Sequence, residues 1–361
     1  MAGAIPSEHQ ALVLTSIDVG LELKTVPTPK HPQLGNVLVR IQAASLLSYH
    51  REIYNGARQY PQVHVPHSGG YSAVGRVAAV GADATSLKPG QLIFADCTIR
   101  SRDGAGWFLV GVQASMDAGG QKLNEQVYVD GAFAEYWNVP LENCHPLDEQ
   151  RLTKELEYAP VDLAYMSYLL VAYEGLHDIG LEAGETVVVC PATGGFGGAG
   201  AMVAIAMGAR VIAMGRNEQE LARLKAHVES GLMSGSDSGL IETVPITGDE
   251  AVDTAALQAF GAIDAVLDFS PPHAAGSSHL RCAIRSLRRR YAVILNNLTL
   301  KGKVMYERED VTQFVKMLER GLFPRGKSFV DTKVFKLEQA KEALDAAAEY
   351  AGGGRAVVFA P

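Results

Sequence analysis

A glycine-rich turn, residues 192–197, reads Ala-Thr-Gly-Gly-Phe-Gly and directly follows the apolar run of residues 186–190. The spacing matches a Gly-x-Gly-x-x-Gly pattern with alanine in the first glycine position. The central Gly194 would let main-chain amides approach a pyrophosphate, and Gly197 would let the next helix pack closely on the sheet. The positive end of a helix beginning near Gly198 would hold the anion. The predicted dinucleotide contacts are Ala192, Thr193, Gly194, Gly195, Phe196 and Gly197.

The end of the second strand indicates which dinucleotide would bind. A site for NADH usually carries an acidic residue there, which accepts hydrogen bonds from the ribose hydroxyls. Here that place is Gly215, followed by Arg216 and Asn217. No carboxylate would repel a 2′-phosphate, and a guanidinium can bind it bidentately. The pattern favours NADPH; the alternative is that Arg216 only covers the edge of the sheet. Further candidate cofactor contacts are Ser270, Leu295 and Asn296.

The composition is that of a folded globular protein: 361 residues, 47% hydrophobic and 20% charged. A formal net charge of −8 argues against a nucleic-acid binder, which needs a broad basic face. The basic run around residues 281–290 has helical spacing and fits a solvated helix face. The four cysteines are far apart, so neither a disulfide framework nor a metal-binding spacing is indicated. Because no secretory signal or membrane span is evident, we expect a cytoplasmic protein.

The apolar pattern divides the chain into two kinds of structure. Short alternating runs separated by turn signals predict a mostly antiparallel β region from residue 11 to about 139. After a helical stretch at 163–176, strands and helices alternate to about residue 297. This alternation predicts an α/β fold with a doubly wound parallel sheet. The predicted strands of this part are 186–190, 210–214, 265–268 and 291–295, and its helices include 218–227 and 278–287. Two further helices are predicted at 311–320 and 337–350.

Several segments together resemble the medium-chain dehydrogenases/reductases, and in particular their zinc-free branch of quinone-oxidoreductase-like and enoyl-reductase-like enzymes. The matching segments are 37–46, 87–91, 131–136, 181–189 and 266–269. The resemblance implies a GroES-like, mainly β catalytic domain formed by residues 1–158 and 300–361. It further implies a Rossmann cofactor domain inserted at 159–299, and we expect a homodimer. The long segment 99–124 is expected to be a substrate lid or a dimer contact, and its pattern does not choose between them.

The departures from the zinc enzymes of this family are informative. Where those enzymes carry a cysteine ligand, this chain has Leu47, and their Gly-His-Glu motif is replaced by Gly70, Tyr71 and Ser72. Their structural-zinc lobe corresponds to residues 98–126, which contain no cysteine. A tetrahedral zinc site needs converging thiolate, imidazole or carboxylate ligands, so we expect no metal. Quinone-reductase-like members often have Asn and Asp in place of Leu47 and His50, so that match is also incomplete.

Without zinc, a carbonyl group must be polarised by hydrogen-bond donors near the developing oxyanion. Reduction of an activated C=C bond suits such a site better than alcohol oxidation, because no metal lowers the pKa of the alcohol. The candidate catalytic donors, on segments that border the cleft in the family fold, are Tyr49, His50, Tyr60 and Tyr71. Tyr60 resembles an active-site tyrosine of quinone reductases. Packing roles are the alternative for Tyr60 and for His50.

Three functions remain open at this stage. The first is an NADPH-dependent oxidoreductase that transfers hydride to an α,β-unsaturated carbonyl or a quinone. The second is a zinc-independent ketone reductase or alcohol dehydrogenase, and the third is a non-catalytic NADPH-binding protein. The expected partner is a small electrophilic molecule, with neither nucleic acid nor a membrane involved.

Overall fold

The structure is a computed structural model of the chain. It describes residues 4–58, 60–61, 64–232, 239–271, 274, 276–287 and 298–361. These residues form two compact units. The first unit comprises the chain up to Ser167 together with Thr332–Tyr350 and Ala356–Pro361, and the second comprises Tyr168–Asp331 and Ala351–Arg355.

The strands and helices follow one another along the described residues. The strands are β1 (Glu8–Leu14), β2 (Leu21–Pro27), β3 (Asn36–Ser45), β4 (His67–Ser68), β5 (Ala73–Val80), β6 (Leu92–Ala95), β7 (Thr98–Arg100), β8 (Trp107–Leu109), β9 (Tyr136–Pro140), β10 (Cys144–Pro146), β11 (Thr186–Cys190), β12 (Arg210–Gly215), β13 (Ile241–Pro245), β14 (Ala265–Asp268), β15 (Asp331–Phe335) and β16 (Arg355–Phe359). The helices are α1 (His50–Tyr54), α2 (Ala118–Gln126), α3 (Pro160–Leu163), α4 (Met166–Asp178), α5 (Gly195–Ala206), α6 (Glu218–Ser230), α7 (Glu250–Gln258), α8 (His279–Ser286), α9 (Arg308–Glu319) and α10 (Ala340–Glu349).

The first unit is built mainly from antiparallel sheets. Its largest sheet has the strand order β10-β6-β5-β3-β16-β15, with β9 also paired to β3. A second sheet has the order β2-β1-β4, and β7 pairs with β8 in the segment expected to be a lid or a dimer contact. Long β-branched and aliphatic strands bury their side chains here: in β3, Val37, Leu38 and Val39 are fully buried. β16 joins the same sheet, which brings the C-terminal end of the chain into this unit.

The second unit contains a parallel sheet of order β13-β12-β11-β14, in register from Val187 opposite Val211 and Ala265. Its central strands are continuous apolar runs because both faces are covered by helices. One face, with Val188, packs against Leu257 of α7 and Cys282 of α8. The other face packs against α5. This arrangement confirms the predicted α/β fold, and the predicted bounds of β11 and β14 agree with the structure.

The structure leaves one predicted segment of this region undescribed and places two others differently from the prediction. The predicted strand 291–295 lies outside the described residues. The predicted catalytic domain included residues 300–331, whereas the structure groups this segment with the second unit. The reason is local packing, because Phe314 of α9 contacts Tyr173 of α4 and Asp310 lies 3.0 Å from His177. Arg281 and Arg285, from the basic run, both pair with Glu250 and so form no free cationic face.

No helix in the described part of the chain has the length and apolar character needed to cross a membrane.

Candidate functional site

The glycine-rich turn connects β11 to α5 and leaves the amino end of that helix open. The helix begins at Gly195, with Gly194 as its N-cap in an extended conformation (φ −83°, ψ 172°), and no side chain caps it. The first amides of a helix have no partner within it, so they remain available to an anion. A side chain at Gly194 would meet nothing within 4 Å. The geometry therefore suits a ligand pyrophosphate placed against Gly194.

Gly197 has the packing role that the pattern predicts. A Cβ atom added there would lie 2.0 Å from the carbonyl oxygen of Pro191 and 2.8 Å from Cα of Ala192. Only glycine permits this close approach of the helix to the preceding turn. The predicted start of the helix near Gly198 was wrong by one turn. No Ser, Thr, Asp or Asn marks the N-cap, so the run of small residues gives no boundary signal.

Ala192 and Phe196 are fixed by the protein itself. The amide of Ala192 donates a hydrogen bond of 2.8 Å to the carbonyl oxygen of Met214, which ties the turn to the end of β12. The ring of Phe196 packs against Tyr168 and Phe269, at centroid distances of 4.8 and 6.3 Å. These contacts position the main chain of the turn, and the side chain of Ala192 is fully buried.

At the end of β12, Gly215 is enclosed by neighbouring side chains. An added Cβ would lie 2.7 Å from Thr193 Cγ2 and 3.2 Å from Leu221 Cδ2. The next two residues are exposed, and Asn217 caps α6 by accepting a hydrogen bond of 3.1 Å from the amide of Glu220. Arg216 forms no hydrogen bond or ion pair with any residue that the structure describes. Its guanidinium is therefore available to a ligand.

These residues surround an open depression of about 570 Å³, a size within the usual range of ligand pockets. It is lined by Thr193, Arg216, Asn217, Glu218 and Gln219. The amino end of α6 also faces this region, with its own positive dipole. The depression brings together the turn and the predicted 2′-phosphate contacts. Glu218 was missed by the sequence analysis, although its position after Arg216 and Asn217 could have indicated it.

Of the remaining predicted cofactor contacts, the structure describes only Ser270. Ser270 follows β14 and donates a hydrogen bond of 2.7 Å to Asp268 Oδ1. It also lies 2.7 Å from His279 Nε2, so its hydroxyl is engaged within the unit. Leu295 and Asn296 lie outside the described residues.

In the first unit, Tyr49 and Tyr60 both contact one guanidinium, and their rings are nearly perpendicular to each other. Arg58 lies 3.8 Å from the centroid of the Tyr49 ring and 4.6 Å from that of Tyr60. It also donates a hydrogen bond of 2.9 Å to the Tyr60 hydroxyl and is paired with Glu52 at 3.0 Å. Burial raises the pKa of Tyr49 above its ordinary value, so this hydroxyl stays protonated at neutral pH. Arg58 was not among the catalytic residues predicted from the sequence, although it stands only two residues before Tyr60.

Tyr60 and Arg58 belong to a small pocket whose other walls are mostly apolar. The lining residues are Leu14, Ile17, Ile53, Arg58, Tyr60, Pro61 and Val112. The cavity has a volume of about 10 Å³, room for at most one water molecule, so a substrate could enter only if these side chains moved apart. In such surroundings a hydroxyl polarised by a guanidinium is a strong hydrogen-bond donor.

The other two candidate donors, His50 and Tyr71, lie in a buried aromatic cluster with Tyr54 and Phe133. His50 Nδ1 accepts a hydrogen bond of 3.1 Å from the amide of Leu47, which leaves the proton on Nε2. Burial lowers the pKa of His50 to about 3, so the ring is neutral. The Tyr71 hydroxyl donates a bond of 2.8 Å to Ser167 Oγ. Direct substrate contact by either residue stays a prediction.

The catalytic zinc of the zinc enzymes that the sequence resembles does not fit the residues at the corresponding positions of this chain. Leu47 and Tyr71 are 2% and 3% exposed and supply no thiolate, imidazole or carboxylate. Among the described residues, two groups of potential ligands come together elsewhere. They are Cys190, Asp268 and His279, and Glu174, His177 and Asp310.

Comparison with known proteins identifies one domain family and several relatives of this chain. Residues 33–149 match the alcohol dehydrogenase GroES-like domain family. The chain is 27% identical over 212 residues to the acryloyl-coenzyme A reductase of Metallosphaera sedula, and this match spans 58% of the chain and 60% of that relative. It is 24% identical to the NAD-dependent alcohol dehydrogenase of Sulfurisphaera tokodaii, over 97% of the chain and 99% of that relative.

Solved structures share the whole fold. A thermostable alcohol dehydrogenase from Pyrobaculum aerophilum superposes with a TM-score of 0.67 at 18% identity, over 98% of this chain and 100% of that one. A proposed zinc-binding dehydrogenase from Sinorhizobium meliloti, bound to NADP, has a TM-score of 0.70 at 18% identity, over 99% and 100% of the two chains. At these identities the similarity establishes the GroES-like and Rossmann-type fold. The matched domain and these structures show that the chain contains a GroES-like domain and shares its fold with alcohol dehydrogenases of known structure.

Proposed function

We propose that this protein is a zinc-independent, NADPH-dependent oxidoreductase that reduces the activated C=C bond of an α,β-unsaturated carbonyl compound or reduces a quinone. The observation that carries the proposal is the replacement of the family's zinc ligands by Leu47 and Tyr71, in a unit that holds the Tyr49–Arg58–Tyr60 group. Hydrogen-bond donors there take the place of a Lewis acid.

The cofactor part of the proposal depends on the second unit. The amides that begin α5 would bind the pyrophosphate, with Gly194 leaving room for it. Arg216 and Asn217 would bind the 2′-phosphate, since Gly215 offers no carboxylate to repel it. Glu218 lies in the same depression and opposes this preference, so its contribution is measurable by substitution. When bound, NADPH supplies the hydride for the reaction.

The chain's own contribution to catalysis would be made by Tyr60. Arg58 donates to the Tyr60 oxygen, so the tyrosine proton is free to be donated to the substrate's carbonyl oxygen. Negative charge that develops on that oxygen is stabilised by the hydroxyl and by the guanidinium behind it. The apolar neighbours Leu14, Ile53 and Val112 lower the local polarity, which strengthens both interactions. Tyr49 holds Arg58 in place through the face of its ring.

The relatives support this proposal and also a second candidate. Two acryloyl-coenzyme A reductases are among them, which favours reduction of an activated C=C bond. An alcohol dehydrogenase matches almost the full chain, which favours a zinc-independent ketone reductase or alcohol dehydrogenase. The two candidates differ in the bond that is reduced, so product analysis separates them.

The decisive experiment is a screen of NADPH and NADH oxidation against quinones and a matched enone, saturated ketone and alcohol. The proposal predicts NADPH-dependent turnover of the enone or a quinone, with the saturated ketone as the product of the enone. Reduction of the ketone to an alcohol would establish the second candidate. NADPH binding without oxidation by any acceptor would leave a binding protein and contradict both. The homodimer and the cytoplasmic location stay predictions.

A further inference from the structure

A compact group of side chains lies at the carboxyl ends of two adjacent parallel strands. Cys190 ends β11, Asp268 ends β14, and the two residues are register partners. His279, the first residue of α8, completes the group. Cys190 is fully buried, His279 is nearly so, and one edge of Asp268 is accessible. All three belong to the second compact unit.

The donor atoms already have the spacing of a tetrahedral zinc site. Asp268 Oδ1 lies 3.3 Å from His279 Nε2 and 3.8 Å from Cys190 Sγ. With ordinary zinc–ligand bonds, the corresponding edges of a tetrahedron are about 3.4 Å and about 3.6 Å. The three donor atoms lie within 4.8 Å of one another. A cation could therefore be bound with only small side-chain movements.

The imidazole is held in the orientation that a metal ligand needs. His279 Nδ1 lies 2.6 Å from Ser277 Oγ, a partner that can accept its proton. If the Nδ1 proton is donated to Ser277 Oγ, the Nε2 lone pair is available to a cation, in place of the present contacts of Nε2 with Ser270 Oγ and Asp268 Oδ1. Ligating histidines are typically fixed in this way through the second ring nitrogen. Ser270 Oγ lies at hydrogen-bonding distance, 2.7 Å, from both Asp268 Oδ1 and His279 Nε2, and its bond to Asp268 would hold that carboxylate beside the cation.

Charge favours a cation here more than at the other group of potential ligands. Glu174 of that second group is already paired with Lys303 at 2.6 Å, so a local positive charge is in place. No lysine or arginine among the described residues pairs with Asp268. A thiol, an imidazole and a carboxylate together suit zinc or cobalt, whereas magnesium and calcium prefer oxygen donors.

We propose that Cys190, Asp268 and His279 form a binding site for a zinc-like divalent cation, with the fourth coordination position open to water. The site is separate from Leu47 and Tyr71, and it does not depend on the proposed enzymatic function. Binding replaces the thiol proton by a metal–sulfur bond, and the proton goes to solvent. Because binding releases this proton, it weakens as pH falls.

Cobalt(II) titration of the chelator-treated, full-length protein tests the site. We expect one equivalent to bind with a thiolate-to-cobalt charge-transfer absorption, and zinc to displace it. Cys190→Ser abolishes this absorption, and Cys190→Ser and His279→Gln each weaken binding by at least about tenfold. Cys282→Ser is the matched control, because Cys282 is a buried cysteine on the same helix as His279, and it leaves binding and absorption unchanged.

Three results would overturn the proposal. They are no stoichiometric binding by the native protein, binding without thiolate absorption, and absorption that persists in Cys190→Ser. The second result would point to the Glu174 group, which contains no sulfur. Circular dichroism checks that each variant is folded. If Cys190→Ser does not fold, Asp268→Asn and His279→Gln test the site instead. Each should weaken cobalt binding by at least about tenfold, and unchanged affinity in both would overturn the proposal.

Discussion

Two glycines in the same turn are expected to respond in opposite ways to substitution by alanine. Gly194 faces open space, whereas Gly197 is pressed against the main chain of the preceding turn. Gly194→Ala therefore tests ligand binding with little effect on folding, and Gly197→Ala tests packing. Each variant is the control for the other, since both add one methyl group to the same loop.

The expected magnitudes follow from the distances. In Gly197→Ala the new methyl group would lie 2.0 Å from Pro191 O, so the main chain must move by at least about 1 Å. Overpacking of this kind costs about 1–3 kcal/mol of folding free energy. Because the clashing atoms belong to the main chain and cannot rotate away, we expect a cost of about 3 kcal/mol. Alanine recovers about 1 kcal/mol of helix propensity. A net loss of about 2 kcal/mol corresponds to a fall in Tm of roughly 4–8 °C for a unit of this size.

Gly194→Ala has a different expected result. The extended conformation at this position is allowed for any residue, and the small loss of N-cap preference is offset by reduced entropy of the unfolded chain. The free energy of unfolding should change by less than about 1 kcal/mol. The methyl group would stand where the pyrophosphate approaches the amides, so NADPH affinity should fall at least about tenfold, or about 1.4 kcal/mol.

Thermal unfolding and NADPH fluorescence titration measure both quantities on both variants. An unchanged Tm for Gly197→Ala would refute the close packing of α5 on the turn. Undiminished NADPH affinity in Gly194→Ala would refute the placement of the pyrophosphate at the amino end of that helix.

Further predictions concern charge, catalysis, acid stability and metal. Arg216→Glu should raise the NADPH dissociation constant by about one to two orders of magnitude and spare NADH, and equal effects on both in fluorescence titration would contradict 2′-phosphate recognition. Tyr60→Phe should lower kcat by about 10–100-fold with NADPH affinity unchanged, and full activity in steady-state kinetics would exclude its role as the donor. The pKa of His50 is lowered from its ordinary value to about 3, so its stabilising contribution is present above pH 6.5 and is lost as pH falls. Between pH 7.5 and 5 this loss is about 2 kcal/mol in urea unfolding, and His50→Gln should remove it. Chelator treatment should leave turnover within about threefold, and abolished turnover would contradict zinc-independent chemistry.

The sequence predicted β11, β12 and β14 of the parallel sheet because their physical signals are local, whereas β13 was not predicted. Apolar runs that are buried on both faces, such as β11 and β14, end at turn residues, and the structure has the predicted bounds. The glycine spacing likewise predicted the close packing at Gly197. The start of α5 was predicted near Gly198 instead of Gly195, since no capping residue marks it.

The parts that were missed depend on how separate segments come together. Arg58 contacts Tyr49 and Tyr60 because the loop after α1 folds back, and no periodic pattern encodes that path. Cys190 and Asp268 are 78 residues apart, and they meet only because β11 and β14 are neighbours in the sheet. Ligand-spacing motifs cannot reveal such a pair.

A crystal structure of the protein soaked with NADPH would test the proposed cofactor site most directly. The pyrophosphate should lie on the free amides of residues 194–197, and the 2′-phosphate on the guanidinium of Arg216. Density for the dinucleotide elsewhere, or a 2′-phosphate that does not contact Arg216, would contradict it.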